Sequence, residues 1–416
     1  MVKFTVFLRF FLLAASAVAA VGGDDDDDDN VDTNFMVMPG RYLVVLRPHL
    51  SAPDVESHFT WLFNLTADHN SHVVRKFGAW MGQASYAGRF GSALATVISR
   101  RADVASVEPE AVFRASLSAV NTQANAGWNL ARLSSREPVN TTAPAFTFQY
   151  GPDPGSGVTV FVLDTGVRAS HVDLAGRVTG MVNLVSWSAN TDRHGHGTHV
   201  AAIAAGTNYG VAKRANLVAV KVLNDHGAGT TVTILEGIQY VVRDHVRRQR
   251  QATGRVDSVI NLSLGGRFSP ALNLAVRAAV RNGVHVVVAA GNAYGKDACQ
   301  FSPASEPSVI TVAASTMDDM PARFSNLGPC VDVFAPGVNI LSASAWSDSA
   351  QKSLSGTSMA APLVAGLTAY LISQSPQNVA LSVAQVKQQI LQLATKNALS
   401  NLPSNTGNYL AYNGIH

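Results

Sequence analysis

Three histidines fall within six positions in His194-Gly195-His196-Gly197-Thr198-His199. Imidazoles this close can ligate a metal, with Asp164 or Asp192 completing the set. One of them can instead serve as a base, among glycines that let another backbone approach. On this segment alone the two readings stand level. A carboxylate in Asp164-Thr165-Gly166 follows the apolar run Val158 to Leu163; taken alone, Asp before Gly reads as a turn. The segment Ser355-Gly356-Thr357-Ser358-Met359-Ala360-Ala361-Pro362 decides the matter. It leads into apolar Leu363 to Leu371, so Ser358 stands at a helix start. Unpaired N–H groups and the helix dipole favour a developing negative charge there. Pro362 is tolerable in a first turn, and the plain alternative is Ser358 as an N-cap. Asn292, after Ala289-Ala290-Gly291, offers an amide to an oxyanion or simply makes a turn. A hydroxyl, an imidazole, a carboxylate and an amide are the groups that acyl transfer through a serine requires.

Something must hold these residues together. From about Asn121, Gly-rich turns alternate with apolar runs: Val158 to Leu163, Leu217 to Leu223, Ser258 to Leu262, Val284 to Ala290, Val309 to Ala314 and Val331 to Phe334. Between most of them lie helical patterns at Val200 to Ala205, Thr233 to Arg247, Pro270 to Asn282 and Met359 to Ser373. Continuous apolar strands alternating with helices predict an α/β fold, with a mainly parallel sheet covered by helices on both faces. In such sheets the site lies beyond the carboxyl ends of the strands. Ahead of this region, Arg41 to Leu46 reads as strand and Ser51 to Thr66 as helix. Ser92 to Arg101 reads as helix and Val104 to Phe113 as strand, giving a small α+β unit.

The N-terminus carries Lys3 and Arg9, an apolar stretch from Phe10 to Ala20 and Ala17-Val18-Ala19. This is a secretory signal pattern over residues 1–19, too short for a comfortable membrane span. Residues 20–40, with six aspartates from Asp24 to Asp29, read as an acidic, disordered linker. An oxidising destination follows, extracellular or vacuolar, where Cys299 and Cys330 pair; two free buried thiols are the alternative. The chain of 416 residues has a formal net charge of only +3, despite the acidic run. Its densest basic cluster is Arg243, Arg247, Arg248 and Arg250, without a nucleic-acid-binding motif beside it. It reads as a solvated helix face followed by a surface loop, so neither nucleic acid nor membrane is an expected partner.

The runs Asp164-Thr165-Gly166, His196-Gly197-Thr198-His199 and Gly356-Thr357-Ser358-Met359-Ala360 resemble the three signatures of the subtilisin-like serine peptidases, in the family's chain order. The finer resemblance is to the proteinase K branch, through Trp128-Asn129-Leu130-Ala131-Arg132, Tyr209-Gly210-Val211-Ala212-Lys213, Ser302-Pro303-Ala304-Ser305-Glu306-Pro307-Ser308-Val309 and Leu410-Ala411-Tyr412-Asn413. It runs from about Asn121 to the C-terminus. The α+β unit resembles the family's inhibitory propeptide in size and position, and in Val107-Glu108-Pro109. The resemblance implies a secreted endopeptidase of broad specificity, acting on proteins and peptides as a monomer and made as a self-processed zymogen. The propeptide, 41–118, would be ferredoxin-like, inhibit the peptidase domain, 119–416, and be cleaved between about Ala115 and Asn121.

Carried over residue by residue, Ser358 is the nucleophile, His196 the base and Asp164 its partner. Asn292 and the Ser358 backbone N–H form the oxyanion hole. Gly227-Ala228-Gly229 and Ser263-Leu264-Gly265 clasp the substrate backbone, and Ala289, Ala290 and Gly291 line its pocket. His199 becomes structural and His194 surface-facing. No catalytic cofactor is implied. Pro307, Val309 and Asp332 match a structural calcium site through two carbonyls and a carboxylate. A second, weaker calcium site is not reproduced, since Arg136 and Ala398 stand where ligands would be. Val200 follows His199 where that branch often carries Cys, and Thr231 replaces an aromatic on the outer substrate strand. Asn64 and Asn140 sit in sequons open to glycosylation, whereas Asn261 lies in a core strand. The rival readings are a metal-dependent hydrolase using the histidines, a catalytically silent binding protein of the same fold, and a processing protease with dibasic specificity.

Overall fold

The computed structural model describes residues 37–65, 72–77, 83–111, 120–140, 142–143, 145–375 and 381–415. The expected signal sequence, most of the acidic linker, the last two residues of the expected strand Val104 to Phe113 and most of the expected cleavage region lie outside these residues. The chain divides into two compact units, Met1–Ser116 and Leu117–His416.

In the first unit, strands Val37–Leu46, His72–Phe77, Ser85–Arg89 and Val104–Ala111 alternate with helices Ala52–Leu65 and Ser92–Ser99 in βαββαβ order. The sheet is antiparallel, and the first strand lies between the last and the third. This is the ferredoxin-like arrangement. The first helix starts as its sequence predicts: Ser51 and Asp54 each bond the other's backbone N–H, at 3.3 and 3.1 Å, a capping box. Val44, Leu46, Leu62, Tyr86, Phe90, Ile98 and Val104 form the core. Within it His58 is fully buried, with one ring nitrogen 3.0 Å from Asp103 and the other 3.0 Å from Tyr86.

The second unit is built on a nine-stranded sheet. From one edge the strands run Thr395–Lys396, Tyr409–Leu410, Val333–Pro336, Ile310–Ser315, His285–Ala289, Asp257–Leu262, Val158–Asp164, Asn216–Lys221 and Val178–Asn183. All neighbours are parallel except the first pair. Every residue of Val158–Asp164 is buried, and the two-residue strand period explains why. Val158, Val160 and Val162 face a core shared with helices His196–Ala205 and Thr357–Ser373. Phe161 and Leu163 face a second core with helices Thr231–Gln251 and Pro270–Arg281. A strand sandwiched this way has no solvent side and so reads as an unbroken apolar run.

The chain enters the sheet at Val158–Asp164, moves outward to build one side, and returns across that strand to begin the other at Asp257–Leu262. The strand order therefore reverses between these two neighbours, and the crevice at their carboxyl ends is where a ligand site belongs. Two sequence expectations need correction here. The arginine cluster lies wholly within helix Thr231–Gln251, with no loop among its members; Arg247 and Arg248 both pair with Asp244. Thr231 is not on a strand: it opens that helix, behind the Thr230 cap.

Candidate active site

Asp164 ends its strand with its side chain fully buried. Its Oδ1 accepts from the Thr165 N–H at 2.7 Å and lies 2.8 Å from His196 Nδ1. His196 opens its helix, and that helix start is fixed by Asp192. One Asp192 oxygen accepts from Gly195 N–H and Thr165 Oγ1, at 2.7 and 2.8 Å. The other accepts from Thr198 N–H and Oγ1, at 2.8 and 2.6 Å. Asp192, one of the two acids offered as a metal ligand, is thus a saturated helix cap. Gly197 is required by close approach: a Cβ there would sit 2.1 Å from the Gly166 carbonyl. Burial pushes the His196 pKa down, but the Asp164 charge and hydrogen bond, with a further contribution from Asp192, outweigh it and leave the pKa raised.

The other two histidines take different places. His199 is buried, and its Nε2 bonds the carbonyls of Ile340 and Lys352 at 3.1 and 2.9 Å. Burial holds its pKa down at about 4, so the ring is neutral and Nε2–H is the donor. His194 is exposed. Among the described residues no cluster of three His, Cys, Asp or Glu side chains could hold a metal.

Ser358 is the second residue of helix Thr357–Ser373. Pro362 lies in the second turn of that helix, past the first turn the sequence suggested. Its missing N–H is the one that would have bonded the Ser358 carbonyl. That carbonyl accepts instead from Ser263 Oγ at 2.9 Å, and Ser358 Oγ donates to the Ser263 carbonyl at 3.2 Å. The helix proline thereby couples the Ser358 backbone to the segment after strand Asp257–Leu262. Asn292 is oriented as firmly. Its Oδ1 accepts from Thr357 N–H and Thr357 Oγ1, both at 2.9 Å. With the oxygen so held, the amide NH2 is left to donate elsewhere. Behind it, Asn326 accepts from Ala293 N–H at 2.8 Å and donates to the Ala290 carbonyl at 2.9 Å.

His196, Ser358 and Asn292 line one cavity of about 810 Å³. Gly227, Ala228 and Gly229 face Ser263, Leu264 and Gly265 across an adjoining cleft of about 400 Å³. Ala289, Ala290, Gly291 and Ala304 line a further hollow of about 330 Å³ beside Ser358. Sequence reasoning missed Asn326, the capping role of Asp192, and Lys221. The buried Lys221 Nζ donates to the Thr165 carbonyl at 2.6 Å and pairs with Asp225 at 3.1 Å. A lysine in an apolar strand was the one available signal for it.

Cys299 and Cys330 are disulfide-bonded, with Cα atoms 5.3 Å apart. Pro307, Val309 and Asp332 do converge, but on a cation the chain supplies itself. Lys387 Nζ lies 2.9 and 2.6 Å from the carbonyls of Pro307 and Val309 and 2.7 Å from Asp332 Oδ1. Calcium takes six to eight oxygens at roughly 2.3–2.6 Å. Three oxygens already bonded to an ammonium do not fit that ion.

Residues 155–408 match the subtilase family and residues 41–116 the peptidase inhibitor I9 family. Similar proteins include the subtilisin-like serine protease Pen ch 18 of Penicillium rubens, 39% identical over 91% of this chain and 81% of its own length. The subtilase-type proteinase psp3 of Schizosaccharomyces pombe is 40% identical over 89% and 82%. Alkaline protease 2 of Aspergillus fumigatus is 37% identical over 92% and 82%. Among solved structures, a cold-adapted subtilisin-like serine proteinase matches with a TM-score of 0.61 and 39% identity, covering 69% of this chain and 98% of that one. A buried carboxylate behind an imidazole, a serine opening a helix on the same cavity, and these likenesses lead to one assignment: the chain belongs to the subtilase family of serine endopeptidases and carries an I9 propeptide ahead of its catalytic domain.

Proposed function

We propose that the protein hydrolyses peptide bonds through an acyl-enzyme on Ser358. The observation that carries this reading is the 2.8 Å contact between His196 Nδ1 and the buried Asp164, on the cavity that Ser358 and Asn292 share. With Nδ1 engaged by Asp164, the Nε2 lone pair is the free base. It takes the Ser358 proton as Oγ attacks the carbonyl carbon and later returns it to the leaving amine. The Asn292 amide and the Ser358 N–H hold the oxyanion. Water repeats the sequence to release the acid. Treatment with a serine-directed sulfonyl fluoride should abolish activity and add its mass to the peptide bearing Ser358. Activity surviving full modification would overturn the assignment.

Broad specificity is proposed on two grounds. The Gly227–Gly229 and Ser263–Gly265 segments are suited to reading main chain rather than side chains. The hollow beside Ser358 is lined mainly by small apolar residues, and no carboxylate lines it. That lining suits an apolar side chain before the scissile bond and disfavours the dibasic alternative; a peptide library cleaved chiefly after Arg or Lys would refute it. No second chain is needed to complete this constellation, which supports a monomer. The I9 unit is the proposed inhibitor of its own enzyme. Added in trans it should inhibit competitively with peptide substrates. Export, to the medium or a vacuole, is supported by the N-terminal pattern and the disulfide. Asn64 and Asn140 are exposed and are the proposed glycosylation sites.

A further inference from the structure

We propose that Lys387 is the resident cation of the Pro307–Val309–Asp332 cradle, and that the stability of the catalytic domain therefore does not depend on calcium. An ammonium has three N–H donors and no acceptor. The cradle presents three acceptors, at 2.9, 2.6 and 2.7 Å. Donors and acceptors match one for one, at the lengths of charge-assisted hydrogen bonds. The remaining Asp332 oxygen accepts from Thr311 N–H at 2.8 Å, so both carboxylate oxygens are already engaged by donors of the chain.

The lysine is delivered by a well-defined element. Helix Val383–Leu393 begins with a capping box between Ser382 and Gln385 and buries Val383, Val386 and Ile390. Lys387 follows Val386 on the margin of that buried face, its side chain only 18% exposed. Its partners lie far off in sequence: Pro307 and Val309 precede strand Ile310–Ser315, and Asp332 precedes strand Val333–Pro336. These strands are hydrogen-bonded neighbours in the sheet. One ammonium therefore fastens the helix to the amino ends of two adjacent strands. A bound divalent ion would tie the same strand ends together, but its affinity would make stability depend on the metal supply. A tethered ammonium is always present.

The test uses the full chain carrying Ser358→Ala, which removes autolysis, and compares it with the same chain also carrying Lys387→Ser or Lys387→Met. Thermal midpoints are measured in excess chelator and in millimolar calcium chloride. The Lys387 chain should melt at the same temperature in both. Lys387→Ser removes the ammonium and opens its space. It should melt roughly 5–10 °C lower in chelator and recover part of that loss in calcium. Lys387→Met fills the space without donors, so it should lose stability without calcium rescue. A fall of the Lys387 chain in chelator, reversed by calcium, would overturn the proposal. So would Lys387→Ser melting like the Lys387 chain in both conditions. Should Lys387→Ser not fold, calorimetric titration of the Lys387 chain with calcium decides: no saturable binding is expected, and binding would overturn it.

Discussion

The Thr357 side chain hydrogen-bonds to Asn292 and Gly291 rather than to the base or the nucleophile, yet it should affect the rate by way of Asn292. Its Oγ1 gives one of the two hydrogen bonds that hold Asn292 Oδ1, the other coming from its own backbone N–H. Thr357→Val keeps the shape and the backbone donor but deletes the hydroxyl. One neutral hydrogen bond contributes about 1 kcal/mol, which corresponds to roughly a fivefold fall in kcat. KM should barely move, because the oxyanion forms only as the carbonyl is attacked. Asn292→Ala removes the donor itself and should cost about 10²- to 10³-fold in kcat, the range known for such a donor in a member of this family. Once Asn292 is gone, the Thr357 hydroxyl has no amide left to orient. The double variant should then be no slower than Asn292→Ala, giving a coupling energy of about 1 kcal/mol. The assay is steady-state hydrolysis of a chromogenic peptide amide by the processed enzyme. The Gly291 N–H also bonds Thr357 Oγ1, at 3.2 Å, so a melting curve must accompany each variant. Strictly multiplicative losses in the double variant would refute the argument that Thr357 acts by aiming the amide.

Four further outcomes follow from the same geometry. Because Asp164 holds the His196 pKa above its ordinary 6.5, kcat/KM should fall as pH drops through that raised value, giving a neutral to alkaline optimum. Asp164→Asn should move the inflection to lower pH; an acid optimum would contradict His196 as base. Burial holds His199 and His285 neutral, each with a pKa of about 4. Both take up protons more readily unfolded, so melting temperature should fall as pH drops from about 6.5 towards 4, and no loss across that window would sink the assignment. Arg132 is 1% exposed and makes a two-point contact with Asp319 at 2.9 and 3.0 Å. Arg132→Met strands a buried carboxylate and should cost about 3–5 kcal/mol in denaturant unfolding. The Cys299–Cys330 bridge closes a separation of 31 residues, worth about 4 kcal/mol in the chain-entropy model. Cys299→Ser should shorten the thermal half-life accordingly, and an unchanged half-life would mean the bridge is energetically idle.

The fold class was legible because each central strand is buried on both sides. Val158 to Leu163, short, rich in Val and set between Gly-containing turns, reads as a sheet interior whichever face each residue takes. The edge strand Val178–Asn183, half-buried and containing Thr179 and Gly180, carries no such run and was not read from the sequence. The two small antiparallel pairs, Asn121–Ala126 with Phe146–Tyr150 and Ile340–Ala343 with Gln351–Leu354, were missed likewise. Their pairing rests on tertiary position rather than on pattern. In the site, Asp164, His196, Ser358 and Asn292 could be singled out because each stands at a strand end or a helix start, which local sequence marks. The groups that orient them could not. Asn326 reaches Ala290 from 36 residues away, and Ser263 reaches Ser358 from 95. Lys387 lies 78 residues from Val309, in a helix whose pattern says only that a lysine sits near its buried face.

These distant partners share a physical cause. A buried polar group must find a partner or lose the free energy of its hydration. Where a helix starts or a proline interrupts it, local partners run out. Pro362 cannot bond the Ser358 carbonyl, and Ser263 does so in its place. The first turn of helix His196–Ala205 cannot satisfy its own N–H groups, and Asp192 satisfies that of Thr198 together with that of Gly195 just ahead of the helix. The Pro307 and Val309 carbonyls lie outside any helix or strand, and Lys387 answers both. Each shortage is local, each remedy comes from another element, and each remedy fixes the distance between the two elements it joins. For Ser263 and Asp192 that distance bears directly on where Ser358 and His196 stand. For Lys387 it bears on the far ends of the strands, where a loss should be felt in melting temperature and not in the pH dependence of catalysis. A Lys387 variant that stays folded at the assay temperature should therefore keep the His196 inflection where it was. A shifted inflection in such a variant would mean that strain at that end of the sheet reaches the catalytic centre, and the two ends could no longer be treated as mechanically separate.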